Sequence, residues 1–433
     1  MRTAALHNLG CKVNAYETEA MQQILEDAGY QIVDFGDKAD VYVINTCSVT
    51  NVADKKSRQM LHRAKAKNPE AVVVAAGCYV QAAAERLEED AGVDLIIGNN
   101  KKKDLAVILE NYFEQKRGEK GSYVIDIAHT GEYEDLHINR ISDHTRAFIK
   151  IQDGCNQFCS YCIIPYTRGR IRSREIADIE KEVKALAGKG YREIVLTGIH
   201  LSSYGKDLRE ETNLLDAVRL VHGIEGVERI RLGSLEPRIV TREFAQALKE
   251  MPKVCPHFHL SLQSGCEATL KRMNRHYTPE EYLEGCRILR EVFENPAITT
   301  DVIVGFPGET EEEFEETREF LKKVHFYEMH IFKYSRRAGT RADRMPDQVP
   351  ESVKTARSEA LLEMERQMSL EYRKSFLGKK CEVLLEEPEV IGGKRYVTGH
   401  TREYVRIAVE NGCRGEIVTG IPEKMLTDEV ALL

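Results

Sequence analysis

No tryptophan occurs in this 433-residue sequence, and no apolar run approaches the roughly 18–20 residues that a membrane-crossing helix requires. No membrane partner is therefore expected. The first residues lack the apolar core of a secretory signal, which makes the cytoplasm the expected location. Excess charge is scarce as well. A net charge of −8 speaks against bulk affinity for a polyanion, although an average conceals patches. Residues 55–67 carry six Lys and Arg with no acid, and residues 145–174 carry six against Asp153 alone. Either run, taken singly, suits a solvated helix face as well as a polyanion track.

What is present needs more than one core. A chain of this length is expected to fold as two or three domains. It holds eleven cysteines, and in a reducing compartment clustered thiols point to metal binding or catalysis before disulfides. Cys155, Cys159 and Cys162 are tightly clustered, whereas Cys11, Cys47 and Cys78 are spread. Cys255, Cys266, Cys286, Cys381 and Cys413 are expected as small buried apolar side chains.

Strands alternate with helices from the start. Residues 3–8, 40–45, 71–76 and 94–97 read as strands, with helices over 15–29 and 53–67. This pattern predicts an α/β fold beginning with a doubly wound parallel sheet. Residues 111–143 are polar and read as a linker. The alternation then resumes, with strands over 147–151, 193–197, 229–233, 258–262, 299–304 and 328–334 and a charged helix over 351–373. Six βα units in series suit an open, partial (β/α)6 barrel. The last ~60 residues carry short β-type runs at 380–386, 395–400, 404–409 and 416–419 between glycines, which suggests a small antiparallel β-barrel.

Cys155, Cys159 and Cys162 have the spacing C-x3-C-x2-C and follow the first strand of the barrel region, at the end where barrel active sites lie. Three thiolates can hold three irons of a 4Fe-4S cluster and leave the fourth open to a substrate. Structural zinc is the alternative, but it calls for a fourth Cys or His, and none sits at zinc-finger spacing. With Tyr161 before the third cysteine, this loop resembles the signature of the radical S-adenosylmethionine superfamily. The resemblance implies that the open iron chelates S-adenosylmethionine and that one electron cleaves it to a 5′-deoxyadenosyl radical. It further implies that Tyr161, Thr197, Gly198, Ser234 and Gln263 lie near that cofactor; turn or capping roles are the alternative. His200, His257 and His259 are read as structural.

Cys11, Cys47 and Cys78 each fall just past a predicted strand. In an open α/β sheet those carboxyl ends share one edge, so three thiols could meet there; chance burial is the competing reading. The segments Leu9-Gly10-Cys11-Lys12-Val13-Asn14, Asn45-Thr46-Cys47-Ser48-Val49-Thr50 and Gly77-Cys78-Tyr79 resemble the N-terminal domain of the methylthiotransferases. The run from Pro165 to Arg174 resembles their post-cluster motif, and the C-terminal barrel is similar to their TRAM domain. The resemblance thus spans the chain: 1–113 as the N-terminal domain, 114–142 as linker, 143–371 as the radical core and 372–433 as TRAM. It implies a second 4Fe-4S cluster on Cys11, Cys47 and Cys78, and two open clusters that together place a methylthio group on an unactivated carbon.

Lys12-Val13 is similar to the branch of that family acting on N6-threonylcarbamoyladenosine at position 37 of tRNA. Isopentenyladenosine in tRNA or a ribosomal-protein aspartate are the alternatives, and a cluster-bearing RNA-binding protein without turnover is a third. Lys55, Lys56 and Arg58, with Arg168, Arg170, Arg172 and Arg174, are candidate contacts for phosphates of an anticodon stem-loop, extended by Lys271, Arg272 and Arg275. An external one-electron reductant and a sulfur source complete the expected partners.

Overall fold

A computed structural model describes residues 1–114, 120–139 and 145–433. In the first unit β1 (Thr3–Asn8), β2 (Gln31–Ile32), β3 (Val41–Thr46), β4 (Val72–Gly77), β5 (Leu95–Ile97) and β6 (Gly121–Tyr123) form one sheet. Its order is β2-β1-β3-β4-β5-β6 and every pair is parallel. Strands β3 and β4 are buried at every position, as parallel strands covered on both faces should be. Helix α1 (Lys12–Asp27) lays Met21 and Leu25 on one face, and α2 (Asn51–Lys67) lays Leu61 and Ala64 on the other. The Thr50 side chain accepts from the backbone N–H of Ala53, and Lys65 and Lys67 sit in the last turn of α2, so both ends of that helix are matched to its dipole.

The predicted linker is partly structured. Leu136 and Ile138 are buried in the core of the central unit, while residues 115–119 and 140–142 of that stretch lie outside the described residues.

The central unit contains β7 (Arg146–Asp153), β8 (Arg172–Ser173), β9 (Glu193–Gly198), β10 (Arg229–Leu232), β11 (His257–His259), β12 (Ala297–Val304) and β13 (Glu328–Lys333). Single bridges at Ile230–Val254 and Leu235–Leu260 link its two hydrogen-bonded sheets. The strands therefore follow one another as β8-β7-β9-β10-β11-β12-β13, parallel except for the short β8. Alternation sorts the side chains. Ile194, Leu196, Ile230, Leu232, Ile298 and Val302 enter the core under the helices, which leaves Glu193, Arg229, Arg231 and Asp301 for the opposite, inner face.

At the C-terminus β14 (Cys381–Ile391), β15 (Lys394–Thr401), β16 (Arg406–Val409), β17 (Ile417–Gly420), β18 (Lys424–Met425) and β19 (Val430–Leu432) form a curled sheet in the order β17-β14-β15-β16-β19-β18. The sheet is antiparallel as expected except at one pair: β19 runs parallel to β16, because the chain crosses over before returning. This unit covers the N-terminal ends of the central strands. Tyr404 stacks between His257 and His400, with ring centroids 5.0 and 4.3 Å away, and Arg229 Nε donates to Glu382 at 2.9 Å.

Cys255, Cys266, Cys286 and Cys381 are buried, but Cys413 is exposed in the loop before β17, where no apolar face covers it. Among the described residues no helix is long and apolar enough to cross a membrane.

Candidate active site

Three adjacent strands position the scattered thiols. Cys11 follows β1 and caps α1, Cys47 follows β3, and Cys78 follows β4. Gly10, at φ +108°, makes the approach possible: a Cβ there would lie 2.8 Å from Cys47 Sγ. Burial pushes the Cys47 thiol up to about 11, and the neighbouring charges of Cys78 and Cys11 act in the same direction. The three sulfurs thus share one small volume. Cys47 and Cys78 are buried and Cys11 is exposed.

The clustered thiols sit beyond the end of β7. Gly154 is left-handed and passes so close to Arg170 that a side chain would collide with its carbonyl oxygen. The Gln157 N–H donates to Cys155 Sγ at 3.5 Å, and Arg275 Nη1 donates to Cys159 Sγ at 3.2 Å. Burial, reinforced by the charge of Cys159, pushes the Cys155 thiol up to about 11.

Both sets suit a cluster better than one ion. Four thiolates around a single zinc would lie about 3.8 Å apart. Among the described residues, ligand-type atoms drawn within 4.8 Å of one another occur at His259, Asp301 and His330 and at neither thiol set. Three soft donors spaced wider than a single ion requires fit a 4Fe-4S cluster with one open iron.

A cavity of about 250 Å³ joins the two loops. Val49 and Thr50 line it from the Cys47 loop, Tyr161 from the Cys159–Cys162 loop, and Gln263, Asp301 and Tyr334 from the central strands. Tyr161 is set edge-on to Phe306. Gln263 takes φ +73° and donates its N–H to Asp301 O at 2.8 Å, which turns the chain at the end of the strand. Thr197, Gly198 and Ser234 lie at or beyond the ends of β9 and β10 but do not line this cavity. Wider grooves, of about 660 and 670 Å³, lie where the central and C-terminal units meet, away from the thiols.

The arginine track is corrected. Arg168, Arg172 and Arg174 are buried, so they are closed to RNA. Arg168 Nε lies 3.2 Å from Cys78 Sγ, while its Nη atoms reach Glu17 at 2.9 and 3.0 Å and Asn14 at 2.7 Å. Arg172 Nη1 donates to the Arg168 carbonyl, and Arg174 pairs with Glu182. Arg272 is bound to Glu313, and Arg275 to Cys159. Glu17, 151 positions away, claims Arg168, and Glu313, 41 positions away, claims Arg272. Lys55, Lys56, Arg170 and Lys271 remain exposed, and half-buried Arg58 donates to Tyr79. Of the structural histidines, His257 carries the Tyr404 stack, His259 meets Asp301, and His200 Nδ1 meets Ser203. Arg168 and Arg275, as donors to thiol sulfur, carry no local sequence signal.

Residues 149–321 match the radical SAM superfamily, and residues 3–98 match a family described as uncharacterized protein family UPF0004. A threonylcarbamoyladenosine tRNA methylthiotransferase, MtaB, of Bacillus subtilis is 42% identical over 94% of this chain and 90% of its own length. The protein of that name from Aquifex aeolicus is 41% identical over 91% of this chain and 95% of its own. A tRNA-2-methylthio-N(6)-dimethylallyladenosine synthase of Clostridium novyi is 40% identical over 94% and 90%. Among solved structures, the radical S-adenosylmethionine methyltransferase TsrM of Kitasatospora setae superposes with a TM-score of 0.58, covering 77% of this chain and 73% of its own at 17% identity, which speaks to the fold. With identity above 40% along nearly the whole chain, this protein belongs to the radical S-adenosylmethionine methylthiotransferase family.

Proposed function

We propose that the protein converts N6-threonylcarbamoyladenosine at position 37 of tRNA into its 2-methylthio derivative. The observation that carries this reading is the cavity lined by Val49 and Thr50 after Cys47 and by Tyr161 before Cys162, so that the loops carrying the two thiol sets, from different units, border one space. In this reading residues 1–113 form the N-terminal domain, 114–142 the linker, 143–371 a partial (β/α)6 radical core and 372–433 a TRAM domain.

Cys155, Cys159 and Cys162 would hold one 4Fe-4S cluster, and Cys11, Cys47 and Cys78 the other. When bound, the clusters and S-adenosylmethionine supply the one-electron and sulfur chemistry that exchanges an aromatic C–H for a C–S bond. The chain's own groups do the rest. Arg168 and Arg275 donate to Cys78 and Cys159, and a cationic donor at a ligating sulfur favours added negative charge. Burial of Cys47, Cys78 and Cys155 keeps water from them. Tyr161, Thr197, Gly198, Ser234 and Gln263 lie at the strand ends where the cofactor would be oriented.

Exposed Lys55, Lys56 and Arg170 would meet anticodon-stem phosphates. A loop adenosine is already unstacked enough to swing into the cavity. The remaining partners are an external one-electron reductant and a sulfur source, and a tRNA substrate places the work in the cytoplasm. The Clostridium novyi relative supports a second reading, on dimethylallyladenosine. Mass spectrometry of tRNA nucleosides from a deletion strain decides. The methylthio derivative of N6-threonylcarbamoyladenosine should vanish and its precursor accumulate. Loss of the dimethylallyl product instead would shift the substrate, and no change in either would sink the proposal.

A further inference from the structure

Three successive strands of the central unit bring metal-ligand side chains together. His259 ends β11, Asp301 lies on β12 and His330 on β13. Asp301 is the register partner of His330, and His259 is the partner of Thr299, two residues before Asp301. With a side-chain period of two, all three stand on the same face of the sheet. That face is the inner one, since Ile298, Val302 and Met329 enter the core under the helices. One ligand atom from each of the three residues lies within 4.8 Å of the other two.

An ion pair accounts for only part of this arrangement. His259 Nε2 lies 3.3 Å from Asp301 Oδ2. Two nitrogen or oxygen ligands on one tetrahedral ion would stand about as far apart, at about 3.3 Å. The other ring nitrogen, Nδ1, lies 3.0 Å from Thr299 Oγ1. With Nδ1–H as the donor, that bond fixes the tautomer whose lone pair is on Nε2, as the outer partners of metal-bound histidines do. His330 makes no hydrogen bond or ion pair among the described residues, yet its ring stacks on that of His259 with centroids 5.8 Å apart. A ligand nitrogen is thus left to spare beside a carboxylate and a second imidazole. Asp301 lines the cavity between the thiol loops, and His330 lines the groove toward the C-terminal unit, so the group borders open space on two sides.

We propose that His259, Asp301 and His330 form a third metal site, separate from both thiol sets, for one divalent ion of the Zn²⁺ class. Two imidazoles and a carboxylate suit that class, whereas Mg²⁺ and Ca²⁺ call for oxygen ligands throughout. Nitrogen and oxygen donors also set the site apart from the thiolates, which suit iron–sulfur clusters. Three protein ligands leave a coordination position free, as in zinc sites that take water or a substrate oxygen. Because Asp301 lines the cavity, the ion would border it whichever adenosine the enzyme accepts.

The test dialyses the cluster-loaded enzyme against Zn²⁺ and counts zinc and iron together by mass spectrometry. The wild type should hold one zinc per chain with its iron unchanged, and zinc X-ray absorption should show nitrogen and oxygen ligands at about 2.0–2.1 Å with no sulfur. About a tenfold excess of Mg²⁺ should displace none of it. Thr299→Val removes only the outer partner of His259 and should weaken zinc binding roughly 10-fold. His330→Ala and Asp301→Asn each remove a ligand and should weaken it by roughly 100-fold or more. His330 is exposed, so its truncation spares the core, and iron content checks that each variant assembles. A wild type that holds no zinc, zinc bound through sulfur or taken up only as iron leaves, or an affinity unchanged in both ligand variants overturns the site.

Discussion

Arg168 follows the clustered thiols in the chain but ends against Cys78 of the other set, and it is fully buried between Glu17, Asp153 and Asn14. Removing such a cation leaves Glu17 buried beside Lys102 and Lys150 with its main partner gone. Arg168→Met should therefore cost about 3–5 kcal/mol in chemical denaturation of the metal-free protein, and Arg168→Lys should recover only part, since lysine lacks the fork that spans Glu17 and Asn14. A loss below about 1 kcal/mol would assign the stability elsewhere. Residue by residue, the thiols were legible and their neighbours were not. Six cysteines announce themselves by spacing and by the strands they follow. Arg168, Arg172 and Arg174 look like a basic track because the acids that bury them, Glu17, Asp153 and Glu182, are scattered along the chain. Charge alone does not say whether a cation meets solvent.

Elements were legible where they are long and apolar. Strands β1, β3, β4, β9 and β12 fall where alternation and β-branched runs place them, within a residue or two at their ends. Strands β2, β8 and β18 are two residues long, too short for any period to register. Strand β14 outruns its predicted end because Pro388 lies beyond the stretch paired with β17, where a missing N–H breaks no ladder. The turn after β15 delivers Tyr404 at φ +71° into a stack with His257 and His400, with Arg146 and Arg231 over its ring at 5.0 and 4.8 Å. Tyr404→Ala deletes two stacked contacts and two cation–π contacts at once. It should lower stability by about 2–4 kcal/mol and, in limited proteolysis, release the C-terminal unit earlier than in wild type. Tyr404→Phe should behave almost as wild type; a large loss there would shift the weight to the hydroxyl.

At the scale of the molecule, the N-terminal unit fastens to the central strands through Glu17, Asn99 and Asp54, which meet Arg168, the Thr167 carbonyl and Arg337. Two thiol-bearing loops that border one cavity imply two separable functions. Alanine at Cys155, Cys159 and Cys162 together should halve the iron bound and abolish cleavage of S-adenosylmethionine. Alanine at Cys11, Cys47 and Cys78 should also halve the iron yet leave cleavage measurable as 5′-deoxyadenosine, with no methylthio product. Product from the second variant would mean that the N-terminal thiols are not needed for sulfur insertion. Changes of pattern along the chain were legible, but how its parts lean on one another was not, because it depends on contacts between residues 68 to 283 positions apart. Arg168 shows what that dependence means in time. Its backbone belongs to one thiol loop and its guanidinium to the other, so neither loop reaches its final shape until both units have folded. The final geometry of each thiol set is thereby tied to that of the other.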